Sequence, residues 1–365
     1  MQKAVDHALP LACALLCVCV GDSAGAQTLP GPVPTDGTPV FLDQAEGYYG
    51  LASMKDGSDI AALYYQPWDG TNAGLKAWEY PSGSSALIRP GFMETVSYDG
   101  ANGVVVWEDG QTQVGGTAIM MAGYPAGTPT IISTGPSNHS PSTDGTWVVW
   151  RTETATDPGD IAWYNVVTAA SGTISLPGAQ GRPDVDSGLV VFEDESTNGL
   201  RIWSLDPLVE YAEVLPPPPS VPGTATRLLR PNTLLAMVVW EENTYDPVFP
   251  NSRGTSAVKF AEIVDMTAVG QLPSPCAGGI FQPRLAMSNA LLVAYWGEDC
   301  DGSGGDYSLI SRQTPIGTWR ARTLARLAYE PEVANNPPFA IVEDKVNYIE
   351  SGGELWYLDI NMILM

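Results

Sequence analysis

Short apolar runs that end in an aromatic and pass at once into polar, mostly acidic positions recur about every forty to fifty residues along this chain. The clearest are Val104-Val105-Val106-Trp107-Glu108-Asp109, Trp147-Val148-Val149-Trp150-Arg151, Leu189-Val190-Val191-Phe192-Glu193-Asp194, Met237-Val238-Val239-Trp240-Glu241-Glu242 and Leu292-Val293-Ala294-Tyr295-Trp296-Gly297-Glu298. Weaker copies stand at Ala61-Ala62-Leu63-Tyr64-Tyr65 and Lys345-Val346-Asn347-Tyr348-Ile349-Glu350. β-Branched and aromatic residues in short runs, bounded by Gly, Pro and Asp, predict strands. Helical periodicity is almost absent.

The stretch from Pro141 to Leu176 shows one unit in full. Ser142-Thr143-Asp144-Gly145 carries an Asp-Gly turn signal. Thr146–Thr152 reads as a strand, residues 153–159 as a polar loop, Asp160–Val167 as the next strand, and Ser171-Gly172 as a turn into Thr173–Leu176. A short strand near Pro141 makes four. The third-strand phrase also recurs seven times, for example Leu75-Lys76-Ala77-Trp78, Asp160-Ile161-Ala162-Trp163, Leu200-Arg201-Ile202-Trp203 and Glu354-Leu355-Trp356-Tyr357. Self-similarity at this period means an array of one structural unit. The expected fold is all-β: a seven-bladed β-propeller of four-stranded antiparallel blades.

Pro141-Ser142-Thr143-Asp144-Gly145-Thr146-Trp147-Val148-Val149-Trp150 followed by Asp160-Ile161-Ala162-Trp163-Tyr164 resembles the repeat of the TolB-like β-propeller family, the PD40-type repeat. Unit four keeps Pro183, Asp186, Gly188 and Phe192; unit five keeps Pro231 and Trp240 without Asp-Gly. The TolB-like domain is typically six-bladed, so six is the alternative count. The family includes periplasmic protein-interaction scaffolds and the propeller domains of some peptidases, and the resemblance implies binding more than chemistry.

The chain starts with Met1-Gln2-Lys3, an apolar run from Leu9 to Val20 and the small-x-small pattern Ala24-Gly25-Ala26. Residues 1–26 are therefore expected to be a cleaved signal peptide, 27–37 a linker and 38–365 a single propeller. The run is too short to span a bilayer. Thr38–Asp43 precedes the first unit, and the last unit ends soon after its third strand. The early segment is expected to complete the last blade and so remove an exposed edge.

Acidic residues outnumber basic ones by 41 to 17, for a formal net charge of −24. That field disfavours nucleic acid and anionic lipid as partners and favours cations and basic groups. Removal of the leader leaves Cys276 and Cys300, which an oxidising compartment would pair. Propeller topology places both on one face, and the exported protein is expected in the periplasm or outside the cell, as a monomer without membrane insertion.

The same face collects the candidate chemistry. Carboxylates after the second strands, among them Glu108, Asp109, Glu193, Asp194, Glu241 and Glu242, form a broken acidic ring. The densest stretch, Asp299-Cys300-Asp301-Gly302-Ser303-Gly304-Gly305-Asp306, makes Asp299, Asp301 and Asp306 candidates for calcium, although an EF-hand spacing is lacking. Beside the prolines that lead into the inner strands stand Arg89, His139, Arg182, Arg230, Arg284 and Glu330. Arginines converging on a channel mouth suit a carboxylate or phosphate group. Asn138-His139-Ser140 fits a glycosylation acceptor. The repeated aromatics read as packing between blades.

Catalytic signals are thin: the mature chain has one histidine, His139, and neither a nucleophile elbow nor a phosphate loop. The expected function is therefore a non-enzymatic scaffold that binds a protein or peptide through its acidic loop face. The alternative is a carbohydrate-binding or carbohydrate-cleaving propeller, which would need aromatics and a carboxylate pair in one pocket.

Overall fold

A computed structural model describes residues 40–359 apart from 45–50, 54–59, 67–72, 81–84, 92–96, 111–115, 126, 136, 155, 157, 250–253, 273–278, 289–290, 300–306, 314–318, 327–338, 343–344 and 350–353; side chains are described chiefly from residue 73 to residue 285. The described chain is all-β. Seven four-stranded antiparallel sheets are present among the described residues, and in six of them the strands pair in simple succession. In chain order six of them span residues 51–90, 98–135, 137–174, 180–214, 225–271 and 279–326 (sheets 1 to 6). Sheet 7 joins Phe339–Val342, Lys345–Ile349 and Glu354–Asp359 to Val40–Gln44 from the start of the chain. Phe41 stands opposite Trp356, and Gln44 opposite Glu354.

The recurrent phrase is the second strand of each sheet, and its period-two alternation drives the packing. In sheet 3 Val148 and Trp150 pack against Val104, Val106 and Ile119 of sheet 2. Val149, between them, packs against Val185, Val190 and Phe192 of sheet 4. Val191 in turn meets Val238 and Trp240 of sheet 5. In sheets 2 to 5 the aromatic therefore faces the preceding sheet, and the middle valine the following one. Trp107, Phe192 and Trp240 are at most 1% exposed, as packing between sheets requires. Burial of each such side chain contributes about 2–3 kcal/mol.

Exposure rises from the first strand of a sheet to the fourth. In sheet 4, Gln180–Asp186 is buried except at Arg182, whereas Leu208–Val214 is exposed over most of its length. The first strands thus form the interior of the array.

One predicted turn is displaced. The third strand of sheet 3 ends at Asn165, whose Oδ1 accepts the amides of Val167 (3.0 Å) and Thr168 (2.8 Å). That side-chain turn ends the strand before Val167. Ser171 and Gly172 lie in the fourth strand instead. Gly172 pairs with Trp163, and a Cβ there would sit 2.5 Å from the indole ring, so the aromatic lies over the glycine. Gly270 opposite Phe260 in sheet 5 repeats this device, with a Cβ 2.2 Å from the ring.

Candidate functional site

Four successive first strands carry the same irregularity. Pairing with the second strand slips between His139 and Ser142, Gly181 and Asp184, Leu229 and Asn232, and Phe281 and Arg284. Each slip holds a proline: Pro141, Pro183, Pro231 and Pro283. Proline has no amide to donate to a ladder, so a bulge accommodates it inside a paired strand. In the first three the residue before it is left-handed, with φ of 53° at Ser140, 43° at Arg182 and 53° at Arg230. A non-glycine residue in that region is strained and turns its side chain away from the ladder.

The residues after Pro141, Pro183 and Pro231, and Asp99 at the matching position of sheet 2, stitch the sheets together. Asp99 Oδ2 accepts the Thr143 amide at 3.0 Å. Ser142 Oγ accepts the Val185 amide at 3.4 Å. Asp184 Oδ2 accepts the Thr233 amide at 2.7 Å, and Asn232 Oδ1 the Leu285 amide at 2.6 Å. One such bond crosses every junction from sheet 2 to sheet 6. Asp184 also accepts the Ser142 hydroxyl (2.7 Å) and the Asn232 amide group (2.9 Å), so a carboxylate only 1% exposed is satisfied by three donors from the two sheets on either side. A second belt runs at the other end of these strands. Asp144 Oδ2 accepts the Gly188 amide and Asp186 Oδ2 the Leu235 amide, both at 2.8 Å. The aspartate of the Asp-Gly turn thus locks the next sheet as well as its own hairpin.

The bulges bring Arg182, Arg230, Arg284 and Ser140 to the wall of one cleft beside Asp99, with about 490 Å³ of space open to solvent and prolines 141, 183, 231 and 283 lining it. Five consecutive sheets contribute. Arg230 Nη1 lies 3.0 Å from Glu241 Oε2, and Arg284 Nη1 lies 4.0 Å from Asp184 Oδ1. Burial pushes the Arg182 pKa below the ordinary arginine value; Glu193 and Glu241 oppose the shift and the guanidiniums of Arg230 and Arg284 add to it.

Three of the six residues expected at a channel mouth therefore converge. Arg89 does not: it lies in Ser85–Pro90, the fourth strand of sheet 1, and grips Asp109 through Nε (2.9 Å) and Nη2 (3.2 Å). His139 lies beside the bulge but faces Glu108, 3.6 Å from Oε2, and Ser137. The Glu108 carboxylate raises its pKa above the ordinary 6.5, against burial. Glu330 is outside the described residues, as are Cys276, Cys300, Asp301, Asp306 and the side chain of Asp299, so the disulfide and calcium expectations fall there. Among the described residues no cluster of three or more His, Cys, Asp or Glu could hold a metal ion.

The acidic ring is corrected by burial. Glu108, Asp109, Glu193, Asp194 and Glu241 are at most 8% exposed and lie within the second strands rather than in loops. A buried carboxylate is tolerable only when paired. Glu108 accepts the Ser140 amide, Glu193 the Arg230 amide at 2.6 Å, and Asp194 the Arg201 guanidinium at 2.8 Å. The glycosylation reading of Asn138 falls for a related reason. Asn138 is fully buried, donating to the Thr117 carbonyl (2.7 Å) and accepting from Trp150 Nε1 (3.2 Å).

No family model matches the chain, and no curated protein matches its sequence. Solved structures match its fold. The β-propeller domain of the Trilobed protease from Pyrococcus furiosus, which has an open velcro topology, is 8% identical over 87% of this chain and 96% of that one, with a TM-score of 0.54. TolB from Acinetobacter baumannii is 13% identical over 76% of this chain and 66% of that one, with a TM-score of 0.47, so the chain spans just under two thirds of that protein. BamB from Moraxella catarrhalis is 11% identical over 86% of this chain and 82% of that one, with a TM-score of 0.39. The likeness is one of fold: this chain has a β-propeller fold.

Proposed function

We propose that this chain is an exported, TolB-like, seven-bladed propeller that acts as a non-enzymatic scaffold, holding a protein or peptide at the face onto which the arginine-lined cleft opens. The seven four-stranded sheets, and the pairing of Val40–Gln44 with Glu354–Asp359, support one ring closed by its own first strand. The observation that carries the reading is the cleft itself, to which five consecutive sheets supply guanidiniums, hydroxyls and strained backbone. Cations fixed on rigid strands around an open cleft are what recognition of a partner's polar group needs. The binding surface in this reading is the cleft and its rim rather than a ring of carboxylates, since Glu108, Asp109, Glu193, Asp194 and Glu241 are spent inside the fold.

The carbohydrate reading draws no support from the lining. Among the described residues the lining holds a single carboxylate, Asp99, and a single aromatic, Tyr98, which is 1% exposed. A glycosidase would need two carboxylates flanking the bond. The test compares capture of a partner, with crosslinking, by the mature wild-type chain and by Arg284→Glu. The expected result is a partner held by the wild type and released by the variant. Equal capture by both, or glycan binding in place of protein binding, would overturn the proposal.

A further inference from the structure

We infer that the cleft is a carboxylate-binding site with Arg182 as its principal ligand group, and that its occupant is a carboxylate of a peptide, either an acidic side chain or a free C-terminus. This deepens the scaffold reading and rests on it. The two neighbouring arginines have acids of their own, Glu241 for Arg230 and Asp184 for Arg284. The Arg182 guanidinium has no hydrogen-bonded or ion-paired partner among the described residues, and neither does the hydroxyl of Ser140 on the same wall.

The sequence supplies the reason. At the junctions on either side, a glutamate at the end of the preceding second strand holds the bulge amide: Glu108 for Ser140 and Glu193 for Arg230. At the junction between sheets 3 and 4 that position is Arg151, which turns away to Glu153 (2.8 Å), Glu195 (3.4 Å) and the Pro158 carbonyl (2.9 Å). A cation stands where the neighbouring junctions have an acid, and Arg182 is left half-buried on the cleft wall beside two like charges. A strained backbone and a guanidinium without a hydrogen-bonded acid both cost free energy, which Glu193 and Glu241 at longer range offset only in part. They are accounted for if the missing acid comes from a ligand.

A planar guanidinium fork matches a planar carboxylate. The local charge favours one negative charge over two. Glu241 and Asp184 already balance two of the three guanidiniums, and Asp99 on the wall would repel a phosphate dianion.

Saturation-transfer NMR on the mature chain tests this with four probes: acetyl-triglycine as the free acid, the same peptide amidated, acetyl-Gly-Glu-Gly-amide, and inorganic phosphate as competitor. The free acid or the glutamate peptide should bind, which separates the two sources, and the amidated triglycine should not. Arg182→Met should weaken the acid by about tenfold or more, as removal of a charge-assisted hydrogen bond implies. It should melt no lower than the wild type, because it relieves a desolvated charge. Arg182→Lys, which keeps the charge without the fork, covers the case in which Arg182→Met does not fold, and should bind more weakly than the wild type. Lys259→Met, on the third strand of sheet 5, should bind as the wild type does. Equal binding of acid and amide, unchanged affinity in the Arg182 variants, no binding of either acid, or displacement by phosphate at lower concentration than the acid would each overturn the inference. Acid binding without partner capture would sink the scaffold reading alone; partner capture without acid binding would sink this one alone.

Discussion

At the scale of single residues, buried polar side chains do most of the work that distinguishes this chain from a generic stack of strands. Asp184 is the clearest case, because donors from Ser142, Asn232 and Thr233 meet on one carboxylate. Asp184→Ala leaves those donors without an acceptor in a site water does not reach. The variant should lose about 2–5 kcal/mol of stability, read as a lower denaturant midpoint at unchanged slope. Two titrating residues give the stability a pH dependence. His139 has its folded pKa raised above 6.5 by Glu108, so its contribution is complete below that pH and is lost as pH rises through the raised value. For Asp194, burial pushes the pKa up, but hydrogen bonds from Ser196 and Arg201 outweigh it and hold the pKa below 3.8. Its contribution is present above that pH and is lost as pH falls through the lowered value. A profile of melting temperature against pH should therefore decline at both ends. His139→Gln should flatten the neutral-to-alkaline decline, and Asp194→Asn part of the acid one; a profile unchanged in either variant would contradict the assignment.

At the scale of elements, the bulge ahead of each proline makes the cleft, and its left-handed residue is the point of strain. Ser140→Val places a β-branched side chain at φ 53°. It should cost about 1–3 kcal/mol, measurable by thermal melting, while the Glu108 acceptor stays in place. The same elements show what was legible in the sequence. The second and third strands were, because apolar runs such as Val104–Trp107 and Ile161–Tyr164 alternate between two neighbouring sheets and so repeat wherever a sheet repeats. The convergence of Arg182, Arg230 and Arg284 was legible from the prolines beside them. Arg89-Pro90 has the same dipeptide yet lies in a fourth strand, since two residues do not encode which of four strands they occupy. Glu108 and Glu193 looked like loop acids because their solvation is set by the next sheet, whose bulge amides they accept. The short polar residues after the prolines, Ser142, Asp184 and Asn232, were the unread signal of the belt.

At the scale of the whole molecule, each sheet completes the core of its neighbour, so stability depends on how the series ends. Among the described residues, sheet 7 reaches four strands because Val40–Gln44 pairs with Glu354–Asp359 across nearly the full length of the chain. Such a bond between distant segments restricts the unfolded chain more than a local hairpin does, and it covers the edge that Glu354–Asp359 would otherwise present. Deletion of residues 27–45 should therefore do two separable things. The melting temperature should fall by several degrees, because lost pairing and lost closure both weaken the native state. The exposed edge should also make the shortened chain associate, visible as a concentration-dependent mass in light scattering. Adding the deleted segment back as a free peptide should restore the melting temperature and suppress association, since the acceptor edge remains. An unchanged melting temperature, or association that the peptide does not reverse, would mean that the first strand decorates the last sheet without stabilising the fold.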